Sequence, residues 1–297
     1  GLYGEFYYQP KTNDIDFDAE FSKPEITEPC RLRMKNAGQD LQFLQADAVI
    51  SPTHFQYSSL PKAIQQITSV IHDGIDTEQL KPSDTVELKL NNNIRLTKDS
   101  EIITFVNRNL EPMRGYHVFM RSLPAMLRKR PNARVIIVGG DDVSYGAKPP
   151  AGSSWKHIFL HEVRDQLDMS RVHFVGKLAY TNFIKLLQIS SVHVYLTYPF
   201  VLSWSLLEAM SLGCAIVASN TAPVREVITH KENGLVVDFF DREGLCEAVC
   251  VLLESQSERK RLGTSARETV ISRYDLHSQC LPKQLAWVEA LAATVST

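Results

Sequence analysis

The chain has 297 residues, 44% hydrophobic and 22% charged, with a formal net charge of −2 at pH 7. That length suits two domains, and the composition is that of an ordinary soluble globular fold. The near-neutral charge gives no case for general nucleic-acid binding, and no apolar run reaches the ~18 residues of a transmembrane segment.

The opening GLYGEFYYQP lacks the basic flank and apolar core of a secretory leader. It reads as a strand whose partner strands lie upstream, so we expect an N-terminally truncated stretch of a longer protein. Residues 1–29 are strongly acidic, with a turn-rich KTNDID, and read as a short strand and a long surface loop. Residues 31–46 read as a helix with Leu32, Leu41, Phe43 and Leu44 as its apolar members. Short strands are expected at 47–51 and 68–71. The Asn-rich stretch from 76 to 100 reads as a linker with local strand.

From residue 101 the pattern becomes regular. Apolar β-type runs (EIITFVN, ARVIIVGG, RVHFVG, SVHVYLT, CAIVAS and GLVVD) alternate with helices at 115–130, 180–190 and 204–213. Helices at 241–254, 256–273 and 276–293 follow. Such alternation predicts an α/β fold with a doubly wound parallel sheet covered on both faces. The expected division is a partial N-terminal domain (1–80), a linker (81–100), the main α/β domain (101–275) and a helix packing back on the first domain (276–297).

The five cysteines are scattered. Cys246 and Cys250 lie four apart on a helix without zinc-type partners, so they read as core thiols in a reducing cytoplasm. The cluster Arg128, Lys129, Arg130 and Arg134 ends a helix, where cations complement the dipole; an acidic partner or membrane surface is the alternative.

Four loops leave carboxyl ends of strands, the edge where open α/β sheets bind ligands. In the first, Arg108 and Arg114 flank a turn entering a helix at Gly115. Two arginine forks beside a helix start suit a diphosphate; two solvated loop arginines are the plainer alternative. The second, Gly139-Gly140-Asp141-Asp142, lets a ligand approach the backbone at Gly140. It is no GxGxxG fingerprint, and a turn explains the two acids as well as a metal does. The third, with Lys177, Leu178 and Tyr180, could flank a base ring; an ordinary connection is the alternative. The fourth holds Ser203, Trp204 and Ser205 at a helix start, with Glu208 one turn inside. Serine hydroxyls and free N–H groups suit an anion, and a carboxylate suits a vicinal diol. Simple serine capping and a Ser205–Glu208 capping box are the alternatives.

Together these loops resemble the nucleotide-sugar domain of the retaining family 4 glycosyltransferases, which have the GT-B fold. Arg108 stands at the first arginine of that family's Arg-x5-Lys-Gly loop, and Arg114-Gly115 where Lys-Gly is usual. Phe174-Val175-Gly176 matches Phe-x-Gly, and LLEAMSLGCAIVAS at 206–219 matches LLEAM-x-x-G-x-P-V-V-A-S. Arg225-Glu226-Val227 and Asn233-Gly234-Leu235-Val236-Val237 resemble the segments that follow. The likeness covers about residues 65–275. Phe200 departs from it, standing where the first acid of Glu-x7-Glu, which touches the donor sugar, is expected.

The resemblance implies transfer of a hexose from a UDP- or GDP-type donor to an acceptor hydroxyl with retention. The acceptor would be a glycan, a lipid-linked glycan or a small molecule, in polysaccharide or glycolipid synthesis. Arg108 and Arg114 would stabilise the leaving diphosphate. Glu208 would hold the ribose, and Phe200 would border the donor. Ser51, Thr53 and His54 would leave a strand end facing the cleft, with a surface-loop histidine the favoured reading for His54. The resemblance implies no metal and no separate cofactor. It implies a cytoplasmic protein, peripheral to the inner face of the membrane. A GT-B nucleotide-sugar epimerase and a non-catalytic sugar-nucleotide-binding module are the alternatives. The expected truncated stretch would hold only the later part of the acceptor-side domain and need not turn over by itself.

Overall fold

The computed structural model describes residues 2–3, 7–8, 17–21, 27–89 and 94–295. The KTNDID turn and the Asn91–Asn93 run lie outside the described residues. The first lobe holds β1 (Leu2–Tyr3), α1 (Glu28–Phe43), β2 (Val49–Ser51), α2 (His54–Ser59), α3 (Lys62–Gln65) and β3 (Thr68–Val70). Its sheet is parallel in the order β1-β2-β3. Helix α1 begins three residues before the expected position because Pro29 sits in its first turn, where its fixed φ and missing N–H cost nothing. Leu32 and Phe43 are buried, but Leu41 and Leu44 are exposed, contrary to expectation. At 3.6 residues per turn they lie off the face that Leu32, Asn36 and Phe43 share.

A two-stranded antiparallel ribbon, β4 (Leu88–Lys89) with β5 (Arg95–Leu96), precedes the larger sheet. That sheet comprises β6 (Ile102–Asn109), β7 (Arg134–Gly140), β8 (Val172–Gly176), β9 (Val192–Tyr195), β10 (Ile216–Ser219) and β11 (Leu235–Val237). Every pair is parallel, in the order β11-β10-β9-β6-β7-β8. The interleaved helices are α4 (Tyr116–Lys129), α5 (Trp155–Val163), α6 (Tyr180–Gln188), α7 (Trp204–Ser211) and α8 (Ala222–Arg225). The chain closes with α9 (Arg242–Glu254), α10 (Gln256–Tyr274), a π turn (Leu276–Cys280) and α11 (Leu281–Val295). Neither α5 nor α8 is legible in the sequence pattern. Both are short and follow loops rich in turn residues, and α5 is nucleated by Ser154, whose hydroxyl accepts from His157 N at 3.2 Å.

Strand periodicity builds two cores. Ile103, Phe105, Val135 and Ile137 enter one hydrophobic cluster, while Ile102, Val106, Ile136 and Val138 enter the other. Successive residues thus point to opposite faces of one buried sheet. The chain runs outward from β6 to β8, then returns to β9 on the other side of β6. The order therefore reverses between β6 and β9, and the crevice there is the expected ligand position.

Among the contacts that join the lobes, two segments stand out. The end of α10 returns to the first lobe: Ile75 N donates to Tyr274 O at 2.8 Å, and Leu276 N donates to Ile75 O at 2.9 Å. Thr77 Oγ1 donates to Asp275 Oδ2 at 2.6 Å. Burial would raise the Asp275 pKa, but the bonds from Thr77 and Ser278 take it down to about 2. The second segment is Phe17–Phe21, expected as surface loop. Instead, Phe17 packs on Tyr198, Phe239 and Phe240, and Phe21 on His117, Trp155 and Phe159. Aromatic burial outweighs the acidic character of this stretch.

Candidate functional site

The loop after β6 enters α4 through a 3-10 turn, Pro112–Arg114. Gly115 follows at φ 69°, and a Cβ there would lie 2.3 Å from Leu196 Cβ in the β9 loop. Glycine is required on both counts. It brings the β6 and β9 loops together at the topological reversal.

The two arginines of this loop part company. Arg108 is exposed and lines an open cleft of about 740 Å³ with Asn109, Asp141, Ser144, Lys148 and Lys177. Arg114 is only 5% exposed. Its Nη1 donates to Thr197 Oγ1 at 2.9 Å and to Val201 O at 3.1 Å. Its guanidinium lies over the rings of Tyr145 at 5.1 Å and Phe200 at 5.6 Å. This is not the open pair of forks that the loop sequence suggests. Arg114 stitches the β6 loop to the β9 loop, and its cation faces aromatic rings.

Lys148 and Lys177 add two further cations to the cleft. A Cβ on Gly140 would meet Lys177 Cε at 2.5 Å, so the bare glycine gives the lysine its course. Lys177 Nζ lies 3.8 Å from Asp142 and Lys156 Nζ 3.2 Å from Asp141, which ties both acids to lysines. Leu178 is half-buried against the second core cluster.

Glu208 is half-buried on α7. The N-cap is Ser203, whose hydroxyl accepts from Ser205 N, so Glu208 lies too far along the helix for the capping box with Ser205. Its Oε1 accepts from Tyr180 Oη at 2.7 Å instead. Burial raises the Glu208 pKa, and the Tyr180 bond opposes the rise. Burial and the neighbouring carboxylate both raise the Tyr180 pKa. Ser203 N donates to Tyr195 Oη at 2.9 Å, Ser203 and Ser205 share a hydroxyl bond at 2.9 Å, and Trp204 is 54% exposed.

Other expected positions lie elsewhere. Phe200 is 4% exposed inside the first core cluster, against Tyr145 and Tyr8, rather than lining open space. An apolar ring gains more from that burial than from a polar cleft. Ser51 and Thr53 are buried, and Thr53 caps α2 by accepting from Gln56 N at 3.1 Å. His54 is exposed, and its backbone N–H donates to Glu226.

Sequence reasoning missed Glu111. It is 1% exposed, and its carboxylate accepts from the backbone N–H groups of Ser144, Tyr145 and Gly146 at 3.2, 3.2 and 3.0 Å. It pins the β7 loop so that Tyr145 covers Arg114. The acid ahead of a Pro-initiated turn was the available signal. Among the described residues, Asp18, Glu20 and His117 lie close enough to share an ion, but Asp18 is held by Tyr198 and His117, and Glu20 by Arg121.

Residues 87–269 match the family described as glycosyl transferases group 1, and residues 1–80 match the glycosyl transferase family 4 group. The chain belongs to the group 1 glycosyltransferases. The D-inositol 3-phosphate glycosyltransferase of Corynebacterium glutamicum (strain R) is 22% identical over 203 residues, covering 67% of this chain and 46% of its own. The phosphatidyl-myo-inositol mannosyltransferase of Mycolicibacterium smegmatis is 28% identical over 183 residues, covering 60% of this chain and 42% of its own. The chain thus spans under half the length of these curated relatives. Among solved structures, sucrose-phosphate synthase from Thermosynechococcus elongatus has a TM-score of 0.72 at 21% identity, covering 92% of this chain and 65% of that one. Anabaena HepE in complex with UDP has a TM-score of 0.68 at 19% identity, covering 92% and 70%. The fold of this chain is GT-B. Among the described residues, no helix is long and apolar enough to cross a membrane.

Proposed function

We propose that the carboxyl edge of the larger sheet, from the cleft between the β6, β7 and β8 loops to the β6–β9 reversal beside it, holds a nucleoside diphosphate sugar, and that the whole protein transfers the hexose to an acceptor hydroxyl with retained configuration. The observation carrying this reading is the convergence on one sheet edge of Arg108, Lys177 and the Tyr180–Glu208 pair. In it, Glu208 accepts from the ribose hydroxyls, and the loop around Leu178 flanks the base. Arg108 and Lys177 face the diphosphate, with the helix start at Ser203 and Ser205 beside it. Arg114 keeps the two loops in register.

The chemistry follows from charge. The bond between sugar C1 and the phosphate oxygen breaks, and the acceptor oxygen bonds to C1 on the same face. The acceptor proton passes to the leaving phosphate. Fixed cations at that phosphate are worth most as its charge develops, with each charge-assisted contact contributing about 1.5 to 3 kcal/mol. The reading assigns no metal or organic cofactor, since the sugar nucleotide is itself the substrate. It places the protein in the cytoplasm, with UDP or GDP in the donor and a glycan or lipid-linked acceptor.

A second reading, sugar-nucleotide binding without turnover, draws support from Phe200 and Tyr145 stacked over Arg114. Calorimetric titration of the intact protein with UDP, GDP and ADP tests the donor site. One nucleotide should bind, and Glu208→Ala and Arg108→Ala should each weaken it at least tenfold. Hydrolysis or transfer from the matching sugar nucleotide supports the enzyme reading; tight binding without either supports the second.

A further inference from the structure

Tyr180 projects from the first turn of α6 and is 47% exposed, yet its hydroxyl is committed to Glu208 Oε1 at 2.7 Å. Its ring stacks on Phe183 at 5.8 Å and 23°, which fixes the direction of the phenol. Among the described residues, Oε2 of Glu208 has no hydrogen-bond partner, and it is not sealed from solvent.

An ionised carboxylate offers about four lone-pair sites on two oxygens. The tyrosine uses one. Three remain for two ribose hydroxyls, so the phenol orients the carboxylate without exhausting it. A flexible glutamate with no such tether would lose side-chain entropy on binding the diol.

Resting on the ribose reading of Glu208, we propose that Tyr180 is a positioning residue that fixes this carboxylate for a vicinal diol and thereby sets the preference for ribonucleotides over deoxyribonucleotides. It acts through Glu208 and need not touch the ribose.

The test is titration of the intact protein with UDP, GDP and ADP, and with the 2′-deoxy form of whichever binds. Wild type, Tyr180→Phe, Glu208→Ala and the double variant are compared. Tyr180→Phe keeps the ring and its stacking and removes only the hydroxyl. We expect it to weaken the ribonucleotide severalfold, the scale of the side-chain freedom Glu208 regains, and to weaken the 2′-deoxy form, which offers Glu208 one hydroxyl in place of two, distinctly less. The double variant should bind no worse than Glu208→Ala. Equal weakening of both nucleotides by Tyr180→Phe, or tighter ribonucleotide binding, overturns the proposal while leaving the ribose reading intact. Unchanged discrimination in Glu208→Ala, or no binding of any of the three nucleotides, overturns the ribose reading and the proposal with it.

Discussion

Glu226, which follows β10 of the larger sheet, reaches the first lobe and caps the helix that begins at His54. Its two carboxylate oxygens accept from the backbone N–H groups of His54 at 2.8 Å and Phe55 at 3.0 Å. A charged acceptor on two otherwise open N–H groups is favourable at any helix start. Here it also spans 172 positions of chain, so the cap links the lobes.

Glu226→Ala should therefore lower stability by about 1 to 2 kcal/mol, and Glu226→Gln by less, since one amide oxygen can still accept. Denaturant unfolding measures the loss. Hydrogen exchange should rise at His54 and Phe55 in the alanine variant. Protection unchanged there would show that the lobes do not depend on this cap.

Asp18 ties the N-terminal segment to α4. Its Oδ2 lies 3.0 Å from His117 Nε2 and accepts from Tyr198 Oη at 2.7 Å. Burial raises its pKa, but the His117 and Tyr198 bonds outweigh it, so the folded value falls below the ordinary one. A carboxylate with a depressed pKa adds stability above its unfolded value, about 3.9, and loses it as pH falls through the folded value. Asp18→Asn should flatten the stability profile below about pH 4. Chemical denaturation from pH 3 to 6 provides the comparison, and parallel slopes would rule the effect out.

His193 lies on the central strand β9, fully buried, with Nδ1 2.9 Å from Thr104 Oγ1. Burial pushes its pKa down to about 4. The unfolded chain binds a proton below about pH 6.5 and the folded chain does not, so stability falls between those values as pH drops. The full loss is ~3 kcal/mol. His193→Gln should be less stable at neutral pH and lack this slope. A two-dimensional pH and denaturant titration reads both.

Glu111 holds three consecutive amides of the β7 loop from a buried position. Glu111→Ala leaves those N–H groups unpaired or exposed, at a cost of about 2 to 4 kcal/mol. The loop should loosen, with faster exchange at Ser144, Tyr145 and Gly146. Tyr145 should then cover Arg114 less completely. Nucleotide affinity measured in the same variant reports whether that cover opposes or supports binding; unchanged loop exchange would sink the pinning role.

Much of the fold was legible because its signals are local. Continuous apolar runs such as those around Val135 and Val192 identify strands buried on both faces, and their alternation with helices identifies a parallel sheet. The LLEAMSLGCAIVAS segment placed Glu208 on a helix between two such strands. The helix at 155–163 and the burial of Phe17–Phe21 were not legible, because a short element between loops is held by what it packs against.

The site divides in the same way. Sequence by itself determined the element types, the loops that meet at one sheet edge, and the presence there of arginines, serines and carboxylates, Glu208 among them. Tertiary structure alone decided which partner each side chain took. Arg114 turned inward to Thr197, Val201 and two aromatic rings, while Arg108 stayed in the cleft. Glu208 took Tyr180, 28 positions away, rather than Ser205 on its own helix. Spacing along a chain governs contacts within a turn or a helix, whereas contacts between loop ends depend on strand order and crossover handedness, which bring distant residues within 3 Å.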